Sequence, residues 1–248
     1  MHYKFLDSKD IDKVLVNGTI AISSLEYFRR LEETEWADIG DPLEGASELT
    51  VTGDFVIREN SPELGLANSA NIGLGIFKQF AAVSGGGIID MSGVRFIHQV
   101  PNLFIFSVSA GYVDDLTTRM CVNAKRPYDA CLRVTDLEML RQMAISQGRI
   151  RDLDCAVSDI FLPGLIQAVE YEARSRDIRE GAVLQPSPFK KAARFSGQSE
   201  VRVLFVPKEG AQITAERFIV ELPSAASVFE EMFRNYSPKD AQRAAQVD

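Results

Sequence analysis

The sequence predicts an α+β fold, a single domain with mixed, mostly antiparallel sheets. Three observations carry this reading. Strand-like and helix-like stretches are interleaved irregularly along the chain, no internal repeat is present, and no Pro/Ser-rich linker separates one half from the other. With 248 residues the chain can bury a real core. The reading gives 1–236 to the domain, with insertions near 29–45 and 60–92, and leaves 237–248 as a frayed polar tail.

Each element has its own signal. His2-Tyr-Lys-Phe-Leu6 is a short opening strand. Asp7 and Ser8 can cap a helix whose Ile11, Val14 and Leu15 share a face, and Gly18 ends it as a C′ glycine should. Thr19 to Ile22 is a second strand, and Ser23-x-x-Glu26 opens a helical turn burying Leu25, Phe28 and Leu31. An acidic loop follows, with Glu32, Glu33, Glu35 and Asp38 around Trp36, and then Asp41-Pro-Leu-Glu44, which cannot be mid-helix. Ala46 to Arg58 predicts two strands turning at Gly53-Asp54. Gly73-x-Gly75 and Ser84-Gly-Gly-Gly87 lack the spacing of a phosphate-binding loop and are read as linkers or lids.

Further along, Val94 to Val100, Leu103 to Ser109 and Tyr128 to Val134 are strands, and Asp114 to Val122 is a helix. Thr135-x-x-Glu138 is a capping box for a helix that buries Leu137, Leu140 and Ala144 and stops at Gly148. Leu165 to Glu172 and Arg217 to Leu222 are strands, and Ser224 to Tyr236 is a closing helix burying Val228, Phe229, Met232 and Phe233.

Composition narrows the function. The chain is 46% hydrophobic and 25% charged, with no apolar run able to span a bilayer and no secretion-type leader, which predicts a cytoplasmic protein away from membranes. Cys121, Cys131 and Cys155 are odd in number and far apart, so they read as small buried hydrophobes. With two histidines and no metal-ligand spacing, no metal site is expected. A net charge of −8 argues against a general nucleic-acid coat protein. Arg174, Arg176, Arg179, Lys190, Lys191, Arg194, Arg202 and Lys208 nevertheless form a locally cationic segment, as a solvated basic face or as the footprint of an anionic ligand such as a dinucleotide.

That segment surrounds the most informative stretch, Phe195-Ser-Gly-Gln-Ser-Glu-Val-Arg-Val-Leu-Phe-Val-Pro207. Val201 to Val206 reads as a buried strand. Along an extended chain residues two apart project to one side, so Gln198 and Glu200 are expected side by side at its mouth. The same spacing also fits an edge strand with polar residues at its solvated end.

The order of landmarks resembles a large bacterial family of unknown function. It rests on Tyr3-Lys-Phe5, Asp41-Pro-Leu-Glu44, Phe106-Ser107 and Lys191-x-x-x-Phe195-x-x-Gln198-x-Glu200-x-Arg202. The chain departs from that family at Gly40 (usually Asn), at Gln198 (usually Glu) and in the acidic insertion before Asp41. The closing motif is also similar to the catalytic loop of ADP-ribosyltransferases. This more distant resemblance implies a split-sheet core and NAD as substrate. Glu200 would be the catalytic carboxylate, and Gln198 beside it would hold the acceptor, a protein or a nucleic acid. It also implies contacts to NAD from Lys4, Tyr3 or His2 on the first strand, from Ser23, Ser24, Ser107 or Ser109, and from Phe195 and Arg202. Lysine in place of arginine at position 4 is a departure, because it offers a point charge and not a planar fork.

Each residue also has a structural reading. Lys4 fits a snorkelling lysine, Ser23 and Ser24 fit helix caps, Asp41 and Glu44 fit a turn, and Arg202 fits a partner that neutralises Glu200. The expectation is an NAD-dependent transferase or glycohydrolase. The alternative is a non-catalytic nucleotide- or partner-binding protein of the same fold, with phage defence as one setting.

Overall fold

The computed structural model describes residues 1–31, 41–57, 62, 66, 89–180 and 185–237. The predicted acidic loop at 32–40, the glycine-rich stretch and the terminal tail therefore lie outside the described residues. Along the first half the strands are β1 (His2–Leu6), β2 (Thr19–Ser24), β3 (Ala46–Thr50), β4 (Val56–Ile57), β5 (Ile89–Asp90), β6 (Arg95–Gln99), β7 (Phe104–Ala110) and β8 (Ala130–Val134). They continue with β9 (Arg149–Ile150), β10 (Cys155–Ala156), β11 (Phe161–Ala168), β12 (Glu170–Glu172) and β13 (Ser175–Asp177). The last four are β14 (Lys190–Ala192), β15 (Glu200–Pro207), β16 (Arg217–Glu221) and β17 (Phe229–Phe233). The helices are α1 (Ile11–Leu15), α2 (Leu25–Leu31), α3 (Val113–Thr117), α4 (Leu137–Gln147) and α5 (Val157–Ile160).

Ten strands form one antiparallel sheet in a single α+β domain, and β7 is its pivot. Along one edge β7 pairs with β15, from Glu200↔Ser109 to Phe205↔Phe104, and β11 lies beyond β15. Its other edge is shared. The start of β7 takes β2, through Ser23↔Ile105 and Ser24↔Phe104, and its end takes β1, through Tyr3↔Ser109 and His2↔Ala110. Strands β1 and β2 thus diverge from β7 as a fork. One arm continues through β8 to β17, and the other through β16 and β9 to β10. Small sheets pair β3 with β6 and β13, β4 with β5, and β12 with β14.

Alternation along the strands separates two faces. Leu6, Ile22, Phe106, Val108, Val203, Phe205 and Phe218 lie on one face and pack with Leu137, Leu140 and Ala144 of α4. Phe104 stacks on Phe218 at 5.3 Å and meets Phe161 edge-on at 5.1 Å. Each such ring removed from water contributes about 2 kcal/mol. The opposite face carries the odd-numbered residues of β7 and, by register, Tyr3, Ser23, Glu200 and Arg202. Apolar clusters cover it only in part, one under Tyr3 and Phe5 and one under Ile105 and Leu204.

Gly18 turns the chain at φ +59°, where a Cβ would meet the Leu222 carbonyl oxygen at 2.5 Å, so only glycine fits. Of the three predicted helix caps, Asp7 makes no capping bond and the other two move by one residue. Ser24, not Ser23, accepts the Tyr27 N–H, and Asp136, not Thr135, accepts the Met139 N–H at 2.8 Å. The 46–58 hairpin is corrected, because β3 pairs with β6 and β13 while β4 pairs with β5. The closing helix is corrected too: Pro223–Val228 is a 3-10 turn, and β17 adds to β8 through Phe229↔Val134, leaving Met232 exposed. The exposed edge of β8 offers a ladder of backbone partners, and pairing there outweighs the helical spacing of Val228, Phe229, Met232 and Phe233.

Candidate functional site

The fork opens onto a cavity of about 520 Å³. Tyr3 and Lys4 line it from β1, Ser23 from β2, Ser107 and Ser109 from β7, and Glu200 from β15. Gln198 and Lys191 complete that end, while Tyr27, Phe28, Arg126, Tyr128 and Arg217 wall the rest.

Glu200 is held more tightly than any other carboxylate in this cavity. Its backbone N–H donates to the Tyr171 hydroxyl at 2.7 Å, and Ser107 Oγ donates to Oε1 at 2.5 Å. Arg202 Nε donates to Oε1 at 2.8 Å and Nη2 to Oε2 at 3.3 Å, so the guanidinium grips both oxygens. Lys191 Nζ adds a bond to Oε2 at 3.3 Å. Burial pushes this carboxyl toward its neutral form, but Arg202 and Lys191 overcome that and hold it well below the usual carboxylate range. It is an anion at every physiological pH.

Behind it lies a second carboxylate. Glu44 is fully buried, with Oε1 2.6 Å from Arg202 Nη1 and Oε2 3.7 Å from Lys191 Nζ. Glu44, Glu200, Lys191 and Arg202 form a neutral buried quartet. The Asp-Pro-Leu-Glu turn is fixed in place by Asp41, which accepts the Leu43 N–H at 3.1 Å and, across the chain, the Ala192 N–H at 3.2 Å. The motif is therefore a support beneath the site.

Gln198 and Glu200 do meet, though not by strand alternation. Ala193–Gln198 is a 3-10 turn, and Ser199 at φ +45° redirects the chain into β15. The two side chains are joined by Lys191, whose ammonium donates to Gln198 Oε1 at 2.9 Å as well as to Glu200.

Lys4 occupies the throat of the fork. With β1 taking Ser109 and β2 taking Ile105, neither strand pairs with Ser107 on that edge. Lys4 Nζ supplies the missing donor, reaching the Ser107 carbonyl oxygen at 2.8 Å, and sits 4.8 Å from the centre of the Phe106 ring. Burial lowers its pKa to about 8, with Glu200 opposing and Arg217 reinforcing that shift.

Several expectations are corrected. Arg202 is 0% exposed and cannot touch a ligand in this arrangement. Ser24 is buried as a helix cap, and Phe195 is buried beneath Lys191 and Arg194, both 4.7 Å from its ring centre. His2 pairs in β1 away from the cavity lining. Of the basic 174–208 segment only Lys191 lines the cavity. Arg174 is buried with its Nη2 on the Ala46 carbonyl, Lys190 pairs with Glu172 at 2.9 Å, and Arg179 packs over Phe55.

The cavity draws its other cations from Lys9, Lys13, Arg126 and Arg217, which sequence reasoning missed. No local signal marks them, since the segment 8–15, the stretch around Arg126 and β16 each bring their own basic residues to the cavity. Cys121 and Cys131 are buried, and burial pushes both thiols up to about 12, which removes them as nucleophiles. Among the described residues no His, Cys, Asp and Glu cluster is arranged to hold a metal ion, and no helix is long and apolar enough to cross a membrane.

Compared with protein-family models, curated proteins and solved structures, the chain gives no match.

Proposed function

We propose that this cavity binds NAD and cleaves its nicotinamide–ribose bond, passing ADP-ribose to water or to a macromolecular acceptor, on a split sheet of ADP-ribosyltransferase type. The observation that carries the reading is Glu200. It is a carboxylate held ionised by Arg202 and Lys191, hydrogen-bonded to Ser107 at 2.5 Å, on the floor of a cavity formed where two strands part from a third.

The chemistry needs such a group. The C1′–N bond breaks with its electron pair going to the nicotinamide nitrogen, which leaves neutral. The sugar passes through an oxocarbenium-like state before an oxygen or nitrogen nucleophile bonds to C1′ and loses its proton. A fixed carboxylate at the ribose 2′-hydroxyl stabilises that charge, and its pairing with Arg202 and Lys191 prevents protonation. Gln198, polar and non-titrating, lines the same end and suits the acceptor side.

One observation favours the second reading, a nucleotide-binding protein that performs no chemistry. Arg202 grips both oxygens of Glu200, and that shared charge weakens its field at the ligand. Nicotinamide release from NAD, with and without cell lysate, separates the two. In the catalytic case wild-type protein releases nicotinamide. Glu200→Gln then falls by about a hundredfold per folded molecule, with NAD affinity little changed. Wild-type protein that binds NAD and releases nothing under either condition is a binding protein. A folded, fully active Glu200→Gln variant would sink the mechanism.

A further inference from the structure

The cavity is cationic in a chain that is acidic overall. Lys4, Lys9, Lys13, Arg126, Lys191 and Arg217 line it against Asp7, Asp10 and Glu200. Most of these cations already have partners. Lys9 meets Asp7 at 3.0 Å, Lys13 meets Asp10 at 2.5 Å, and Arg126 lies 3.7 Å from Asp7. Lys191 belongs to the buried quartet, and Lys4 serves the Ser107 carbonyl.

Arg217 differs. It opens β16 opposite Ser23, on the arm of the fork away from β1, and its side chain is exposed on the cavity wall. The neighbouring carboxylate, Glu216, is taken by Arg30. Among the described residues the Arg217 side chain makes no hydrogen bond or ion pair. Its charge still reaches Lys4 across the cavity, as does that of Glu200 from the other side.

The register fixes the offset of the two ends along the strands, and across the sheet they lie three strand spacings apart, about 14 Å. Glu200 pairs with Ser109, and Arg217 reaches β7 through Ser23 at Ile105. Those two β7 positions are four residues apart, about 13 Å along the strand. A ligand touching both ends has an anionic group well removed from the group beside Glu200, which a small inorganic anion cannot provide.

We infer that Arg217 is the phosphate anchor of the cavity, taking the pyrophosphate of a nucleotide whose ribose end points toward Glu200. This rests on reading the cavity as a nucleotide site, and it gives the phosphates to Arg217 and not to Lys4, which is engaged in the fork. A guanidinium suits the task, because its planar fork bonds two phosphate oxygens at once.

The test is calorimetric titration of ADP and of inorganic pyrophosphate into wild-type protein, Arg217→Ala and Arg217→Lys, with folding checked by melting temperature. Wild-type protein should bind ADP more tightly than pyrophosphate. Arg217→Ala should weaken ADP about tenfold or more and flatten its salt dependence, and Arg217→Lys should recover part of the loss. Equal affinity for ADP and pyrophosphate would reduce the site to one for inorganic anions and overturn the proposal. Wild-type-like ADP binding by folded Arg217→Ala, or no binding by wild-type protein, would overturn it too. A nicotinamide assay on the same samples keeps the two ideas apart. Arg217-dependent ADP binding without nicotinamide release retains the anchor and removes the catalytic reading. Release by wild-type protein with unchanged ADP affinity in Arg217→Ala does the reverse.

Discussion

Arg202 and Glu44 are separated by 158 positions in the chain and joined at 2.6 Å inside the protein, with neither side chain exposed. Burying two charges is costly, and the pair persists because Glu200 and Lys191 complete a neutral group of four. Removing one member leaves an uncompensated charge. Glu44→Gln should therefore destabilise the protein by about 3 kcal/mol in urea denaturation. An unchanged midpoint would show that the quartet contributes nothing to folding.

The same argument predicts non-additivity. Lys191→Met leaves the group negative and Glu44→Gln leaves it positive, whereas the double variant is neutral again. The double variant should be at least about 1 kcal/mol more stable than the sum of the single losses predicts. Strict additivity in that cycle would mean that the two residues act independently.

The quartet also bears on what the sequence can reveal. The strand that begins at Glu200 was legible, because β-branched and apolar residues from Val201 to Val206 announce a buried strand, but the approach of Gln198 was not, because it depends on a 3-10 turn and on Lys191. Helix α4 was legible from its apolar spacing. The role of Asp41-Pro-Leu-Glu44 was only half legible. The turn follows from Asp-Pro, but the pairing with Arg202 depends on how remote strands assemble. The parting of β1 and β2 from β7 was not legible, since pairing choices along the edges of β7 leave no local trace. Arg217 was missed for the same reason: the pairing of β16 with β2 is what brings it to the cavity wall.

Acid should loosen this site early. Glu200 is held below its ordinary 4.5 in the folded protein and returns to that value when unfolded. Its contribution to stability is complete above pH 4.5 and is lost as the pH falls below it. Melting temperature should drop on acidification below about pH 4.5, and less steeply in Glu200→Gln, which has nothing to protonate there. Parallel profiles for the two proteins would remove Glu200 as a source of acid sensitivity.

Lys4 supplies a slope of the same sign at alkaline pH. Burial lowers its pKa to about 8, against 10.5 for an ordinary lysine. Below pH 8 the folded and unfolded states both carry the charge, and the folded state bears the full cost of burying it. Between about 8 and 10.5 the folded lysine is neutral while the unfolded one still binds a proton, so stability from this group rises with pH. Cys121 and Cys131, raised by burial from 9.0 to about 12, and Tyr128 and Tyr171, raised from 10.0 to about 12, pull the other way above pH 9. Lys4→Met removes one slope and leaves the other, so the difference between the two proteins isolates Lys4. Urea denaturation at pH 7, 8, 9 and 10 should give a difference that is flat below 8 and then moves steadily in favour of the wild type. A difference that stays flat throughout would mean that Lys4 keeps its charge in the fork up to its ordinary range.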